Sequence, residues 1–547
     1  MTKHILATLP ANLRYRFLVA SCGKHYLLET ARLAMAEAGK SPELAQALLG
    51  LAKELFTAAW LEDPLDGTIA TDLVKFEKRL PTLSAIGSKC VSRTAAICAP
   101  CHDQAVLSKL NRREQGGNYG PLSTWLKDEL KLSPANGFLA WTLYHHALDN
   151  ADFATAIEVA TTLTKISPMG PAIAKLSADA HFLAGNYKEA IACYEKVGLA
   201  FPDMCADRIG EAHYRMNNSQ EAMNHLKRAV TATPWKVNAA LRLYDISEGV
   251  DQRLAPVSGK TAILLYSFNN AEKLDSTLQS LHASLESNES GTLIRVLSNG
   301  CTDKTNEVIA KWAKHFGHNY EGVFLPVNVG APAARNWLAS LPEVRACDFV
   351  TYLDDDVRLP TDWLSRRGAA VALYPNSGLW GCKVSDYERT TNLQQVDLNL
   401  LPPLEGETLF SMSDSHLSAH DFGQFSYLRP STSVTGCCHL FRTQSLLKSG
   451  EFDIRFSPTQ YDDLDHDLRL GLSREPIVYQ GHLSVEHMKI SGRLASQNKA
   501  SLASATGNML KLKGKYSNKE MDTLRKQALE NLEEDFSGKL AQLGIKY

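Results

Sequence analysis

The spacing of apolar residues changes near residue 260. Before it, apolar residues recur every three or four positions, as in LLETARLAMAEAG and LAQALLGLAKELFTAAWL, which is the period of an amphipathic helix. After it, the short apolar runs TAILLYS (261–267), LIRVLS (293–298) and DFVTYL (348–353) alternate with helical stretches. Strands that alternate with helices predict a mostly parallel sheet with functional loops at the carboxyl ends of its strands. We therefore expect an all-α N-terminal region and an α/β region after it.

An internal repeat occupies residues 136–248. Three alanines each stand twelve residues before a proline, and successive alanines are 34 and 32 residues apart. The pattern resembles the tetratricopeptide repeat, in which a small residue lets two helices approach closely and proline ends the second helix. Stacked repeats present a groove that can bind a peptide, although a simple structural spacer has the same pattern. The pairs are Ala156 and Pro168, Ala190 and Pro202, and Ala222 and Pro234.

Composition and charge narrow the function classes. The net charge of −2 argues against a dedicated nucleic-acid binder, which usually has a basic excess. We find no apolar run long enough for a transmembrane segment and no signal-peptide stretch, so we expect a cytoplasmic protein. The eleven cysteines form no regular framework, and reduced thiols are expected. Cys98 to His102 match the C-x-x-C-H pattern of haem attachment, but incidental thiols explain them better without an export signal.

Three consecutive carboxylates follow the run DFVTYL. Asp354, Asp355 and Asp356 come directly after a strand that we expect to be buried. Adjacent carboxylates repel each other unless a cation or hydrogen-bond donors neutralise them, and Asp oxygens suit Mg²⁺ or Mn²⁺. A metal here can bridge a diphosphate and stabilise the charge of the leaving group. Taken alone, the three acids are better explained as a solvated turn, so their surroundings must decide.

Further polar motifs stand at the ends of the predicted elements. In order and spacing, together with the three acids, they resemble glycosyltransferase family 2, a large inverting family with the GT-A fold. The resemblance runs from about Lys260 to Lys489. It implies a Rossmann-like α/β GT-A domain with a mixed, mostly parallel sheet, a nucleotide-sugar donor and a divalent metal ion. The motifs are SFNN (267–270), LSNGCTDKT (297–305), NVGAPAARN (328–336), GEFD (450–453) and YDDLDHDLR (461–469).

The resemblance assigns several positions to nucleotide-sugar binding. Ser267 and Asn270 correspond to the first nucleotide-contacting loop, and Asn299 to the polar residue after the second strand. Ser298 stands where family members usually have an Asp that holds the base or ribose, so the base stays open.

The other implied positions surround the diphosphate and the metal. Arg335 and Asn336 correspond to the pair beside the diphosphate, where a guanidinium matches phosphate geometry. Asp354 would face the ribose and also bind the metal, Asp355 would belong to the nucleotide-sugar site, and Asp356 would hold the metal.

Two later segments complete the implied catalytic machinery. Asp462 and Asp463 correspond to an acidic pair whose second member is the catalytic base, so we choose Asp463 and keep Asp462 as the alternative. Capping of a helix N-terminus is another explanation for these acids. His487 follows the last short strand, where many members place a third metal ligand, and imidazole suits Mn²⁺ better than Mg²⁺. His482 competes with it for that role.

We predict four parts in the chain: an N-terminal helical domain (1–135), tetratricopeptide-like repeats (136–248), a GT-A domain (260–495) and a C-terminal helical segment (496–547). Residues 385–432 fit no family pattern, and acceptor recognition is expected there. His420, Phe425 and Tyr427 could stack on a sugar, but loop packing explains them equally well.

The predicted activity is metal-dependent inverting transfer of a hexose-type sugar from a nucleotide diphosphate to a hydroxyl acceptor. We expect the acceptor to be a protein, of the flagellin-like or surface type, or else a surface glycan, and the repeats to recruit it. The first alternative is a catalytically inactive GT-A and repeat protein that acts as a binding scaffold. A nucleotidyltransferase is the second, but it needs a glycine-rich, basic loop after the first strand, and YSFNNAEKLD is not one.

Overall fold

The computed structural model describes residues 4–166, 169–285, 292–402, 410–417, 419–489 and 499–547. The chain divides into two compact units. Unit 1 comprises Met1–Ser247, Ala419–Gln424 and Leu540–Tyr547, and unit 2 comprises Glu248–Ser418 and Phe425–Lys539. The finer four-part division stays a prediction. No helix in the described ranges has both the length and the apolar character needed to cross a membrane.

Unit 1 is helical, as the three-to-four-residue spacing predicts. After a 3-10 turn at Ile5–Thr8, its helices are α1 (Ala11–Val19), α2 (Lys24–Lys40), α3 (Ala45–Glu62), α4 (Gly67–Arg79), α5 (Ala85–Ile97), α6 (Gln104–Gln115), α7 (Tyr119–Leu132), α8 (Gly137–Asp149), α9 (Phe153–Ile166), α10 (Gly170–Leu183), α11 (Tyr187–Gly198), α12 (Ala206–Arg215), α13 (Ser219–Ala232) and α14 (Val237–Ser247).

The repeated alanines lie where two helices approach each other. Ala156, Ala190 and Ala222 are each the fourth residue of α9, α11 and α13, the second helices of three successive helix pairs, and each is fully buried. Any larger side chain would hold the paired helices apart. Pro202 and Pro234 follow the ends of α11 and α13, whereas Pro168 lies outside the described residues. The helices agree with a repeat, and its tetratricopeptide nature stays a prediction.

Unit 2 is an α/β domain around one mixed sheet. Its strands are β1 (Thr261–Ser267), β2 (Leu293–Asn299), β3 (Tyr320–Leu325), β4 (Phe349–Asp354), β5 (Val357–Arg358), β6 (Leu379–Asp386), β7 (Leu393–Gln395), β8 (Leu428–Ser431), β9 (Cys438–Arg442) and β10 (Ile477–His487). Its helices are α15 (Ala271–Leu285), α16 (Thr305–Phe316), α17 (Ala331–Ser340), α18 (Pro342–Arg345), α19 (Trp363–Leu373), α20 (Thr443–Ser449), α21 (Asp462–Leu472), α22 (Lys499–Lys515) and α23 (Asn518–Gln542), with 3-10 turns at Val250–Gln252, Gly317–Asn319 and Ile454–Phe456.

The sheet has the strand order β3-β2-β1-β4-β9-β6-β10-β5, with β7 beside β6 and β8 beside β10. The first four strands are parallel, β9 runs antiparallel to both of its neighbours, and β10 is parallel to β6. Strands β1 and β4 are buried along almost their whole length, which explains their continuous apolar runs. This mixed α/β sheet is the GT-A fold that the sequence predicts.

The C-terminal helices belong to the core of this fold. Leu512 of α22 and Met521 and Leu524 of α23 are buried in one cluster with Leu464 and Leu468 of α21. The charged sequence KEMDTLRKQALENLEEDF therefore forms a helix with one apolar face, and that face covers the helix that carries Asp462 and Asp463.

Candidate active site

Asp354, Asp356 and His487 form a three-residue cluster that could hold a metal ion. Their ligand atoms all lie within 4.8 Å of one another. His487 Nε2 lies 2.9 Å from Asp356 Oδ1 and 3.9 Å from Asp354 Oδ2. The cause is strand register, because β10 pairs antiparallel with β5 and sets His487 opposite Val357. Two carboxylates and an imidazole are a donor set that suits Mn²⁺, so the residues fit the metal ion that the family implies.

Two residues that the sequence did not suggest contact this cluster. Gln394 on β7 lies with Oε1 2.9 Å from His487 Nδ1, and its Nε2 donates to Asp386 Oδ1 at 2.6 Å. A partner on the second ring nitrogen is the usual way in which a metal-binding histidine is oriented. Lys273 Nζ lies 3.3 Å from Asp356 Oδ2. Nothing in the sequence motifs marks either residue, because both act through contacts made by folding.

Mutual contacts set the protonation of the cluster. Burial alone would lower the pKa of His487, but the hydrogen bond to Asp356 and the charges of Asp356 and Asp354 together raise it above the ordinary value. Burial raises the pKa of Asp354, and Arg335 only partly opposes it. For Asp356, burial raises the pKa, but the hydrogen bonds and charges of His487 and Lys273 together lower it below the ordinary value. Both shifts favour an ion pair between a protonated His487 and Asp356 at the place where a metal ion would bind.

Asp355 joins the acidic turn to the end of β1. Ser267 Oγ donates to its Oδ2, and Asn270 Nδ2 donates to its Oδ1 at 3.0 Å. Burial, followed by the charges of Asp356 and Asp354, raises the pKa of Asp355 to about 7 against these hydrogen bonds. The structure thus brings together three residues that were expected to contact the nucleotide sugar.

Arg335 pairs with the candidate catalytic acids. Its Nη1 donates to Asp462 Oδ2 at 2.6 Å, and its Nη2 lies 3.6 Å from Asp354 Oδ1. Asp462 is buried with that oxygen engaged, whereas Asp463 is half-buried. Asp463 Oδ2 accepts from the Gly436 amide at 2.9 Å, and its Oδ1 accepts from the Leu464 amide at 2.8 Å. Both carboxylates stand at the start of α21, where the helix dipole also favours negative charge.

Asn299 and Asn336 make hydrogen bonds within the protein with both ends of their amides. Asn299 donates to Asn328 Oδ1 at 3.0 Å and accepts from the Val329 amide at 2.9 Å. Asn336 donates to the Phe452 carbonyl and accepts from the Phe452 amide, both at 2.8 Å. In this structure both residues hold loops together, and their expected contacts with the nucleotide or diphosphate stay predictions.

The turn before Asp462 has an unusual backbone. Gln460 and Tyr461 have φ of 79° and 69°, the left-handed region that costs a residue with a Cβ about 1–2 kcal/mol. Asn508 of α22 is buried, and its Nδ2 lies within hydrogen-bond distance of the carbonyl oxygens of Phe456 (2.8 Å), Thr459 (2.9 Å) and Gln460 (3.2 Å). Asn508 therefore holds the turn that positions the two acids.

One cavity connects the candidate metal cluster with the candidate base. Its volume is about 420 Å³. Of the residues expected in the site, Arg335, Asp354, Asp462, Asp463 and His487 line it, with Gly436 and Lys489 among the others. Those that do not line it are Ser267, Asn270, Asn299, Asn336, Asp355 and Asp356, although Asp356 still contacts His487.

Residues 262–449 match the family model described as Glycosyl transferase family 2. The chain therefore contains a glycosyltransferase family 2 domain over these residues. The match includes the acidic turn and ends before Asp462, Asp463 and His487. No curated protein matches the chain.

Several solved structures are similar to the transferase. The crystal structure of GalNAc-T7 with UDP, GalNAc and Mn²⁺ aligns with a TM-score of 0.35 and 10% identity over 49% of each chain. The mannosyltransferase PcManGT from Pyrobaculum calidifontis, in complex with GDP-Man and Mn²⁺, aligns with a TM-score of 0.36 and 12% identity over 59% of this chain and 87% of its own. TarS from S. aureus aligns with a TM-score of 0.28 and 16% identity over 41% and 36%.

The remaining sequence candidates lie elsewhere. His482 is not part of the metal-type cluster, and Phe425 and Tyr427 are buried, so their rings do not face an open site. His420 belongs to unit 1. Among the described residues, Asp354, Asp356 and His487 form the only such cluster, which leaves out Cys98, Cys101 and His102.

Proposed function

We propose that the transferase uses a divalent metal ion, Mn²⁺ or Mg²⁺, to move a hexose-type sugar with inversion from a nucleotide-diphosphate donor to a hydroxyl acceptor. The supporting observation is the shared cavity, which is lined by Asp354 and His487 and also by Asp463. An inverting displacement needs an acceptor-side base and a charge-stabilising group on the leaving-group side. The cavity offers both within one space.

The proposed roles follow from these contacts. Asp354, Asp356 and His487 would hold the metal ion, which when bound would stabilise the negative charge of the diphosphate leaving group. Asp463 would accept the proton of the acceptor hydroxyl on a carboxylate oxygen, and the amides of Gly436 and Leu464 keep that carboxylate oriented. Arg335 would fix Asp462 and add positive charge beside the donor site.

A screen of nucleotide sugars tests this proposal. The chain is incubated with UDP-, GDP- and dTDP-sugars with and without Mn²⁺, and release of the nucleoside diphosphate is measured. We expect slow hydrolysis of one donor class that EDTA abolishes and Mn²⁺ restores. Asp356→Ala should lose at least about 10-fold to 100-fold of this activity, as the loss of metal-site residues often does, whereas Asp522→Ala, at an exposed position of α23, should not. Hydrolysis that is equally fast in EDTA would contradict metal dependence.

We further propose a protein acceptor, of the flagellin-like or surface type, that the helical repeats recruit, with a surface glycan as the alternative. The support is the presence of a helical repeat in the same chain as a donor site that has no need of one. Labelled donor added to extracts of the source cells should place the label in a protease-sensitive fraction. Label that resists protease and follows glycan or lipid would contradict a protein acceptor. The predicted cytoplasmic location stays a prediction.

A further inference from the structure

Unit 1 contains a short segment that is distant in sequence from its helices. Ala419–Gln424, which the chain places between β7 and β8, belongs to the compact unit of Met1–Ser247. Asp149 on α8, Phe182 on α10, Arg208 on α12 and Asn238 on α14 contact it. These four helices are the first helices of the successive helix pairs, so the segment crosses one row of the repeat.

The aromatic ring of Phe422 lies in a pocket formed by Arg208 and Phe182 of unit 1. The Phe422 ring centroid lies 3.7 Å from the guanidinium carbon of Arg208 and 5.2 Å from the ring of Phe182. Arg208 is buried and held by Glu62 at 2.8 Å, and its Nη1 has no hydrogen-bond partner among the described residues. A buried guanidinium held over an aromatic ring attracts the ring through its charge.

The residues on either side of the ring are also recognised. Arg215 Nη2 lies 3.4 Å from Asp421 Oδ1 and 3.3 Å from its carbonyl oxygen. Asn238 Nδ2 donates to the Gln424 carbonyl at 2.9 Å. These contacts recognise the acidic side chain before the aromatic residue and a backbone carbonyl group after it.

Gly423 fits where no side chain could. Its φ is 84°, and a Cβ there would lie 2.2 Å from the carboxyl carbon of Glu211. Glu211 cannot move away easily, because Arg215 and Arg242 hold its two oxygens at 3.1 Å and 2.9 Å. The site therefore selects glycine directly after the aromatic residue.

From these contacts we propose that this face of unit 1 is a peptide-recognition site for the pattern acid-aromatic-glycine, and that Asp421-Phe422-Gly423 is its occupant in cis. A partner that uses the same face must carry the same pattern and displace the segment. The proposal rests on binding contacts in unit 1 and does not depend on the transfer reaction.

A peptide-binding experiment on the full-length chain tests the proposal. The probe is a fluorescein-labelled peptide with the sequence of residues 416–427, and binding is followed by anisotropy. In the wild-type chain the tethered segment competes at an effective concentration on the order of millimolar. Combining Asp421→Ser with Phe422→Ala should vacate the site and tighten apparent peptide binding by about 10-fold or more. The matched control combines Asp414→Ser with Leu417→Ala, two exposed residues of the same connection, and should bind as weakly as wild type.

Peptide variants decide the specificity without changing the protein. The vacated chain is the double variant Asp421→Ser, Phe422→Ala. A labelled peptide with alanine in place of its phenylalanine, or with valine in place of the following glycine, should not bind to it. Failure of the unchanged peptide to bind a vacated chain with a native circular-dichroism spectrum would overturn the proposal, as would equal binding of the variant peptides.

If the vacated chain does not fold, a thermal double-mutant comparison takes its place. Arg208→Lys keeps the charge beside Glu62 but loses the planar stacking group, and Phe422→Leu keeps the apolar volume. A loss of Tm in the double variant that is smaller than the sum of the single losses supports the proposal. Additive losses would show that the guanidinium and the ring do not recognise each other, and would overturn it.

Discussion

Arg335 donates to Asp462 across 2.6 Å, and both side chains are almost completely buried. Removing one partner of such a pair leaves an uncompensated charge inside the protein and typically costs about 3–5 kcal/mol. Arg335→Gln should therefore lower the free energy of unfolding in urea by about that amount. Adding Asp462→Asn should restore part of the loss, because Asp462 then no longer carries a buried charge without its partner. If the losses of Arg335→Gln and Asp462→Asn add up in the double variant, the pair is not coupled.

The two carboxylates at the start of α21 should differ in function. Asp463→Asn should still bind the donor but lose transfer by about 10² to 10⁴-fold, since an amide cannot accept the proton of the acceptor. Asp462→Asn should act mainly through the position and stability of Arg335. Donor affinity and transfer rate measured on both variants separate these effects. An inactive Asp462→Asn beside an active Asp463→Asn would reverse the assignment within the pair.

We expect Gln394 to raise the affinity for Mn²⁺ by orienting His487, without binding the metal ion itself. Gln394→Leu removes the partner of His487 Nδ1 and keeps a similar volume. We expect Mn²⁺ affinity, measured by calorimetry, to fall by about 10-fold to 100-fold. Gln395→Leu, its neighbour on β7, is the matched control, because Gln395 lines the same cavity but its Oε1 has no hydrogen-bond partner among the described residues. If the Mn²⁺ affinity of Gln394→Leu is unchanged, Gln394 does not orient His487 for metal binding.

Asn508 should affect catalysis through the turn before Asp462. Asn508→Ala leaves the carbonyl groups of Phe456, Thr459 and Gln460 without this donor, at a cost of about 1–3 kcal/mol. We expect kcat to fall while KM for the donor changes little, because the donor side of the cavity is untouched. Thr506→Ala, an exposed position on the same helix, should leave both constants unchanged. A fall in stability with unchanged kcat would limit Asn508 to a structural role.

The raised pKa of Asp355 predicts how the free energy of unfolding depends on pH in the presence of a chelator. Its folded pKa of about 7 lies above the unfolded value of about 4, so the folded chain binds the extra proton between them. Its contribution is therefore fully present below about pH 4 and is lost as the pH rises through about 7. Urea unfolding at several pH values should show a decline over this window that Asp355→Asn reduces. Parallel curves for Asp355→Asn and wild type would contradict the raised pKa.

The sequence by itself determined the local elements and the order of the motifs. Continuous apolar runs predicted β1, β2 and β4, because a strand buried on both faces needs apolar residues on both. Alanines recurring in register predicted close helix pairs, and Ala156, Ala190 and Ala222 are buried where such pairs meet. The order of polar motifs along the chain was sufficient to indicate the GT-A fold and the family.

Tertiary structure alone decided which of the motif residues share one cavity and which hold loops. The motifs place Asn299 and Asn336 at expected ligand-binding positions, and the structure adds that their amides form hydrogen bonds with neighbouring loops. Gln394 and Asn508 carry no motif, since strand register and helix packing bring them to His487 and to the turn at Gln460. The segment at Phe422 belongs with α12 despite the sequence distance between them. Such contacts depend on how elements that are distant in sequence pack together, and the local pattern of apolar and polar residues does not predict that packing.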